Sequence, residues 1–382
     1  MKRIIILTFI LFGIISFSVS ADTFEFELKN DTDLYSQIYS DFNIESLIEE
    51  TPDEAKEFLD NFSLSPKNPF SFSDIFTPDG AEKFINYIKN KLTSPFVGFG
   101  MIILAIIVCA LANSMTNNTL ETNFSINMVC GMVCITVIML PVSSLIGNCV
   151  QVVNSLSVFM GVFIPVFAGI LIACIKSATA VSYSSLMFFT CETVSYFCSS
   201  FVMPFSNCFL ALSVTSGLSE NDKLGGIVNA LKKCAYIVLT TAMAVFLAVL
   251  SIQGAVNSVA DNAATKTTKF FISSFVPIIG PSVSEALGSF RGCISLLKSS
   301  VGIYVIIVIA IMIIPVILQI FVYKIFLVLS GDIAGIFSVN TIKKICESVN
   351  STLSIILAVI LCASLMFVFS IAIIAVLGGN GS

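Results

Sequence analysis

The chain has 382 residues, of which 56% are hydrophobic and only 11% charged, with a formal net charge of −5 and a mean hydropathy of +0.98. An average globular domain carries about 25% charged residues, and a soluble fold has no way to cover this much apolar surface, so the bilayer is the expected solvent. Histidine and tryptophan are both absent, which excludes imidazole catalysis, zinc sites built on histidine, Ser-His or Cys-His nucleophile pairs and tryptophan interface anchors.

In chain order, Met1-Lys2-Arg3, an apolar stretch to Phe17 and the small residues Ser18-Val19-Ser20-Ala21 have the basic start, greasy centre and exit site of a secretory signal peptide, residues 1–21. Export places residues 22–93 outside the cytoplasm. Between Asp22 and Lys91 there are 16 acidic and 6 basic side chains, a balance of −10, whereas from Leu92 onward there are 8 and 11, a balance of +3. The acidity belongs to one polar segment. Within it, Leu47, Ile48, Phe58, Leu59 and Phe62 fit an amphipathic helical region broken at Pro52, and Phe84, Ile85, Ile88 and Leu92 fit another after Pro78. So few large apolar groups predict that the segment leans on a partner or on the membrane surface.

Residues 94–379 read as a multi-span helical membrane domain, all-α. A span needs about 20 apolar residues, and the runs are 96–112, 126–147, 156–175, 181–212, 235–256, 301–329 and 353–377. Seven spans is the default reading. The run 181–212 contains Glu192 and Pro204, so it is either one long helix or two short ones re-entering near Ser199-Ser200, which would make eight. Residues 270–281 are apolar but too short to span, and carry Pro277, Gly280 and Pro281. Backbone this irregular is tolerated at depth only where protein or water satisfies it, so the block is interfacial or a re-entrant hairpin. Phe163-Ile164-Pro165-Val166-Phe167-Ala168 resembles Phe275-Val276-Pro277-Ile278-Ile279-Gly280 at a distance of 112 residues, the kind of echo found in transport folds built on repeats.

Glu192 is the candidate functional carboxylate, because an ionisable group inside an apolar run is costly. Three environments suit it: a protonated hydrogen bond between helices, a polar pore, or a span boundary. With Pro165, Pro277, Gly280 and Pro281 it forms the candidate conduit or helix-interface set. Gly331 and Gly335, four apart, permit either a close helix approach or a simple turn. The 12 cysteines sit mostly singly in apolar runs and read as packing residues, with Cys130/Cys134 and Cys191/Cys198 able to share a helix face. No phosphate loop, nucleotide fingerprint, metalloprotease motif or basic nucleic-acid patch is present. No cofactor, metal, enzymatic activity or nucleic-acid partner is expected.

One stretch is specific. Thr265-Lys266-Thr267-Thr268-Lys269-Phe270, then Phe275-Val276-Pro277-Ile278-Ile279-Gly280, Ser284-Glu285-Ala286 and Leu296-Leu297-Lys298-Ser299-Ser300-Val301-Gly302 resemble the stage III sporulation protein AE family. The motif residues are Lys266, Lys269, Phe275, Pro277, Gly280, Glu285, Lys298 and Gly302. The resemblance implies a multi-pass protein of the mother-cell membrane that surrounds the engulfed forespore. It also implies a channel (feeding-tube) complex with the other proteins of the same operon, including a secretion-type ATPase and ring-forming membrane proteins, and with a forespore-side partner. In that complex the chain would serve forespore development as a gate or permease subunit. The competing expectation is a stand-alone secondary transporter, ion-coupled at a site near Glu192.

Overall fold

The computed structural model describes residues 38–61, 66, 82–83, 86–89, 92–114, 120–173, 177–218, 223–275, 280–337 and 339–377. The signal peptide expected at 1–21 lies outside them. Among the described residues every regular element is helical, and six helices are long and apolar enough to cross a membrane.

The acidic segment begins with α1 (Ile44–Glu49) and α2 (Asp53–Asn61) on either side of Thr51-Pro52, the break that Pro52 predicts. Asn43, just before α1, takes a left-handed backbone with φ 51°, which asparagine tolerates better than most residues. Asp53 and Glu54 in the first turn of α2 complement the positive end of its dipole. The buried face is Ile44, Leu47, Ala55, Phe58 and Leu59. It is covered by the chain's own membrane helices: the Thr51 hydroxyl lies 2.8 Å from the Tyr304 hydroxyl, and Phe42 packs against Gly169, where an added Cβ would meet its ring at 3.3 Å. The support expected from outside the chain comes in part from within it.

The spans follow as α3 (Thr93–Ser114), α4 (Leu120–Ala173), α5 (Ser177–Phe197), a π-helical turn (Cys198–Val202), α6 (Met203–Leu218), α7 (Lys223–Phe275), α8 (Gly280–Ile336) and α9 (Asn340–Leu377). Two predicted runs, 126–147 and 156–175, fall in the single helix α4 as far as Ala173, where its described residues end. The residues between them, such as Asn148, Gln151 and Asn154, are polar but contain no glycine or proline to stop a helix, and Asn154 is satisfied by a neighbouring helix. The run 181–212 does not turn back at Ser199-Ser200. It continues through the π turn, and Pro204 gives the reason: in an α-helix its ring would strike the carbonyl of Ser200 four residues earlier, and a wider turn removes that clash. Phe270 to Phe275 continue α7, and Gly280-Pro281 open α8, proline being suited to a first helical turn. Pro277, with the rest of 276–279, lies outside the described residues.

Two of these helices are far longer than a bilayer is thick. The apolar stretch of α4, Met128–Ala173, has 46 residues and that of α8, Leu297–Ile336, has 40; at 1.5 Å per residue they measure about 70 and 60 Å against a hydrocarbon core of about 30 Å. The bundle accordingly has two levels. At one, α3 runs beside the C-terminal part of α8, with Phe99 stacked on Phe326 at 4.4 Å and Phe96 edge-on to it at 5.1 Å. At the other, the C-terminal half of α4 meets α5, with Phe167 edge-on to Tyr183 at 5.8 Å and beside Phe163 at 5.0 Å. One continuous core, including Phe159, Phe163, Phe167, Tyr304 and Phe367, joins both levels. Of the described cysteines, Cys208 and Cys234 are exposed and Cys362 intermediate, while Cys109, Cys130, Cys134, Cys149, Cys191, Cys198 and Cys346 are buried.

Candidate functional site in the helix bundle

Of the residues expected to line a conduit, Glu192 and Pro165 are the ones whose side chains are described. Glu192 on α5 is exposed, as are its neighbours Thr193 and Phe189, and Pro165 on α4 is exposed too. Both face the outside of the bundle, where lipid or another protein would meet them. Gly280 and Pro281 begin α8, Glu285 follows in the same helix, and Lys266, Lys269 and Phe275 lie in the last turns of α7. Of the motif residues with described side chains, Lys298 is buried at 6% exposure, a position lysine occupies only when its ammonium is paired. Gly302 is buried as well, and a Cβ there would make an ordinary contact with Ile371 of α9 at 3.9 Å.

Three polar or thiol clusters hold the bundle together. First, Asn154 of α4 bridges to the π turn: its side-chain nitrogen donates to the Ser199 hydroxyl at 3.0 Å, and its oxygen accepts from Ser195 at 2.9 Å and from Ser199 at 3.2 Å. An amide that serves two hydroxyls on successive turns fixes the wider turn in place. Replacing Asn154 with Ala is expected to cost about 1–3 kcal/mol, because two hydroxyls lose their partner. The check is hydrogen exchange at 195–202, which should rise in the variant; unchanged exchange would show that the π turn stands without Asn154.

Beside this turn lies an apolar cavity lined by Ile146, Cys149, Val150, Val153, Cys198, Val202, Ile356, Val359 and Ile360, a lining that offers nothing to an ion. The second cluster joins α3 to α4, where the Cys109 thiol donates to the Cys130 carbonyl at 3.8 Å. Cys130 and Cys134 do share a helix face, both being buried against α3. Among the described residues no group of three or more Cys, Asp or Glu is arranged to hold a metal ion.

The third cluster brings α7, α8 and α9 together. Lys232 donates to the Ser351 hydroxyl at 3.4 Å, and Lys324 donates to the Asn350 carbonyl at 3.3 Å and to the Ser354 hydroxyl. Lys324 was legible in principle: the criterion that singles out Glu192, an ionisable group within an apolar run, applies equally to it. Asn154 had a weaker signal, since a polar residue between two apolar runs resembles a linker.

Outside the spans, Tyr87 ties the polar segment to itself. Its ring lies 5.5 Å from that of Phe58 and its hydroxyl donates to the Glu54 carbonyl at 3.4 Å. Burial, with the negative charges of Glu54 and Glu57 adding to it, pushes the phenol up to about 12. A folded value above the ordinary one near 10 means that the stability tied to this proton is complete below pH 10 and is lost as pH climbs towards 12. Tyr87→Phe should therefore remove one phenol from the late-titrating part of the tyrosinate absorbance; superimposable titrations of the two proteins between pH 10 and 12 would refute this.

With six apolar helices, α7 packed through a small cluster of Phe246, Leu250 and Met366 and the others about one larger core, the molecule is a multi-pass helical membrane protein. The chain belongs to the stage III sporulation protein AE family, which matches residues 55–378. It is 26% identical over 311 residues to stage III sporulation protein AE of Bacillus subtilis (strain 168), covering 79% of this chain and 77% of that protein. No solved structure matches it. The match supports a sporulation-related membrane protein and reaches from α2 to the end of α9.

Proposed function

We propose that this protein is a non-enzymatic component of the sporulation channel complex in the mother-cell membrane around the forespore, required for forespore development after engulfment. It works by assembly with the other proteins of its operon, among them the secretion-type ATPase and the ring-forming membrane proteins, and with a forespore-side partner. The observation that carries this reading is the family match across residues 55–378, which takes in part of the acidic segment as well as every span. The packing agrees with a role in assembly. Described interior side chains are close-packed and mostly apolar, while Glu192 and Pro165 are turned outward. A passage gated by this protein would run between its copies or between it and a partner.

A stand-alone ion-coupled transporter would need Glu192 on an internal path, and its exposure argues for an intermolecular contact instead. Deleting the gene is expected to arrest sporulation after engulfment and to leave vegetative growth unchanged. Normal spore yield from the deletion strain would refute the proposal, and substrate uptake by proteoliposomes containing this protein alone would favour the transporter.

A further inference from the structure

We infer that the notch between α7, α8 and α9 at Lys232 and Lys324 is a binding site for a phosphoglycerol headgroup of an anionic phospholipid. The two ammonium groups come from different helices and repel one another. Among the described residues no carboxylate pairs with either: their hydrogen bonds go to Ser351, to the Asn350 carbonyl and to Ser354, all neutral groups of α9. The acidic side chains nearest in sequence to the notch, Glu347 on α9 and Asp332 on α8, are both exposed. Two like charges at the edge of an apolar bundle are unfavourable unless an anion joins them.

The surroundings select the anion. Lys232 lies in the polar first turns of the α7 span, Asn350, Ser351 and Ser354 lie in the more polar first half of the α9 span, and Lys324 interrupts the apolar stretch of α8. Two of the three helices thus change from polar to apolar beside the charge that breaks the third, the kind of level at which lipid phosphates lie, and basic pockets between spans are recognised sites for anionic headgroups. Both lysines are half-buried, so a ligand can reach them from the side of the bundle. The exposed Ile237, Val245, Val249 and Ile252 of α7 continue away from the notch as a surface for an acyl chain.

The buried side-chain oxygen of Asn350 has no hydrogen-bond partner. It is an acceptor, so a phosphate alone leaves it unsatisfied, whereas a glycerol hydroxyl beside the phosphate can donate to it. The two ammonium groups take the phosphate, the Ser351 hydroxyl can add to it, and the Asn350 side chain takes the alcohol, while the Ser354 hydroxyl donates to the Asn350 carbonyl at 2.8 Å.

The test uses the full-length protein in phosphatidylcholine nanodiscs with and without dioleoyl phosphatidylglycerol, reading the lipid retained by native mass spectrometry and the thermal midpoint. Phosphatidylglycerol should be retained in preference to phosphatidylcholine and raise the midpoint. Lys232→Gln should reduce retention by about tenfold, the effect of losing one charge-assisted contact to phosphate, while Lys233→Gln, at the exposed neighbour, should leave it unchanged. Should Lys324→Gln fail to fold, Lys232→Gln and Ser351→Ala carry the test. Millimolar glycerol 3-phosphate or inorganic phosphate that stabilises as well as the lipid would reassign the site to a free phosphate and overturn the lipid source. Equal retention of the two lipids, or equal losses in Lys232→Gln and Lys233→Gln, would overturn the site itself.

Discussion

Phe167→Ala is expected to lower the stability of the bundle by about 3–5 kcal/mol, the range for emptying a packed aromatic position. The ring is fully buried and lies 5.0 Å from Phe163 and 5.8 Å from Tyr183, so its loss opens space between α4 and α5 that neither neighbour can close without leaving its own contacts. Two residues further on, Gly169 receives Phe42 of the acidic segment, and the cavity should loosen that docking too. The measurement is the fraction of detergent-solubilised protein that stays monodisperse after stepwise heating, with release of 38–61 by limited proteolysis as a second readout. Wild-type behaviour in both would mean that this half of α4 is not packed as described.

Gly331→Leu is expected to separate α8 from α9. An added Cβ at Gly331 would sit 3.4 Å from the Cys346 Cβ and 3.8 Å from the Lys343 carbonyl, and one at Gly335 would meet the Lys343 side chain at 3.5 Å. Alanine therefore fits, in ordinary contact. A leucine has nowhere to go, because part of what faces it is backbone, and overpacking of this kind costs about 1–3 kcal/mol or more. Gly331→Ala should complement a deletion strain and Gly331→Leu should not, with loss of folded protein in membranes accounting for the difference. Full complementation by Gly331→Leu would show that the two helices do not approach each other there. The glycines four apart, legible in the sequence as either a close approach or a turn, are the former.

The membrane class, the break at Pro52 and the apolar runs could be read because burial in lipid leaves its mark on composition, one residue at a time. What escaped was anything decided between helices. The stretch around Asn148, Gln151 and Asn154 looks like a linker in isolation and is helical because Asn154 finds Ser195 and Ser199 on α5 and the π turn. Pro204 advertised a disturbance in 181–212, but whether it reversed the chain or widened one turn depended on α4 lying alongside. Glu192 was singled out by its charge, and charge alone says nothing about which way a helix face points. Lys324 carried the same signal in a run more apolar still, and its meaning came only with Lys232 and Asn350 beside it.

The distribution of thiols has a practical consequence. Among the described cysteines, Cys208 on α6 and Cys234 on α7 are exposed in an otherwise largely sealed set, so a membrane-permeant alkylating reagent should mark those two before the other described thiols in the native protein. The buried cysteines at both levels would follow in the order in which their surroundings open. With no tryptophan to report on folding, the unaltered chain carries its own clock for disassembly, read by the mass added to each peptide, and the α3–α4 pair Cys109 and Cys130 would time one level against Cys191 and Cys198 at the other.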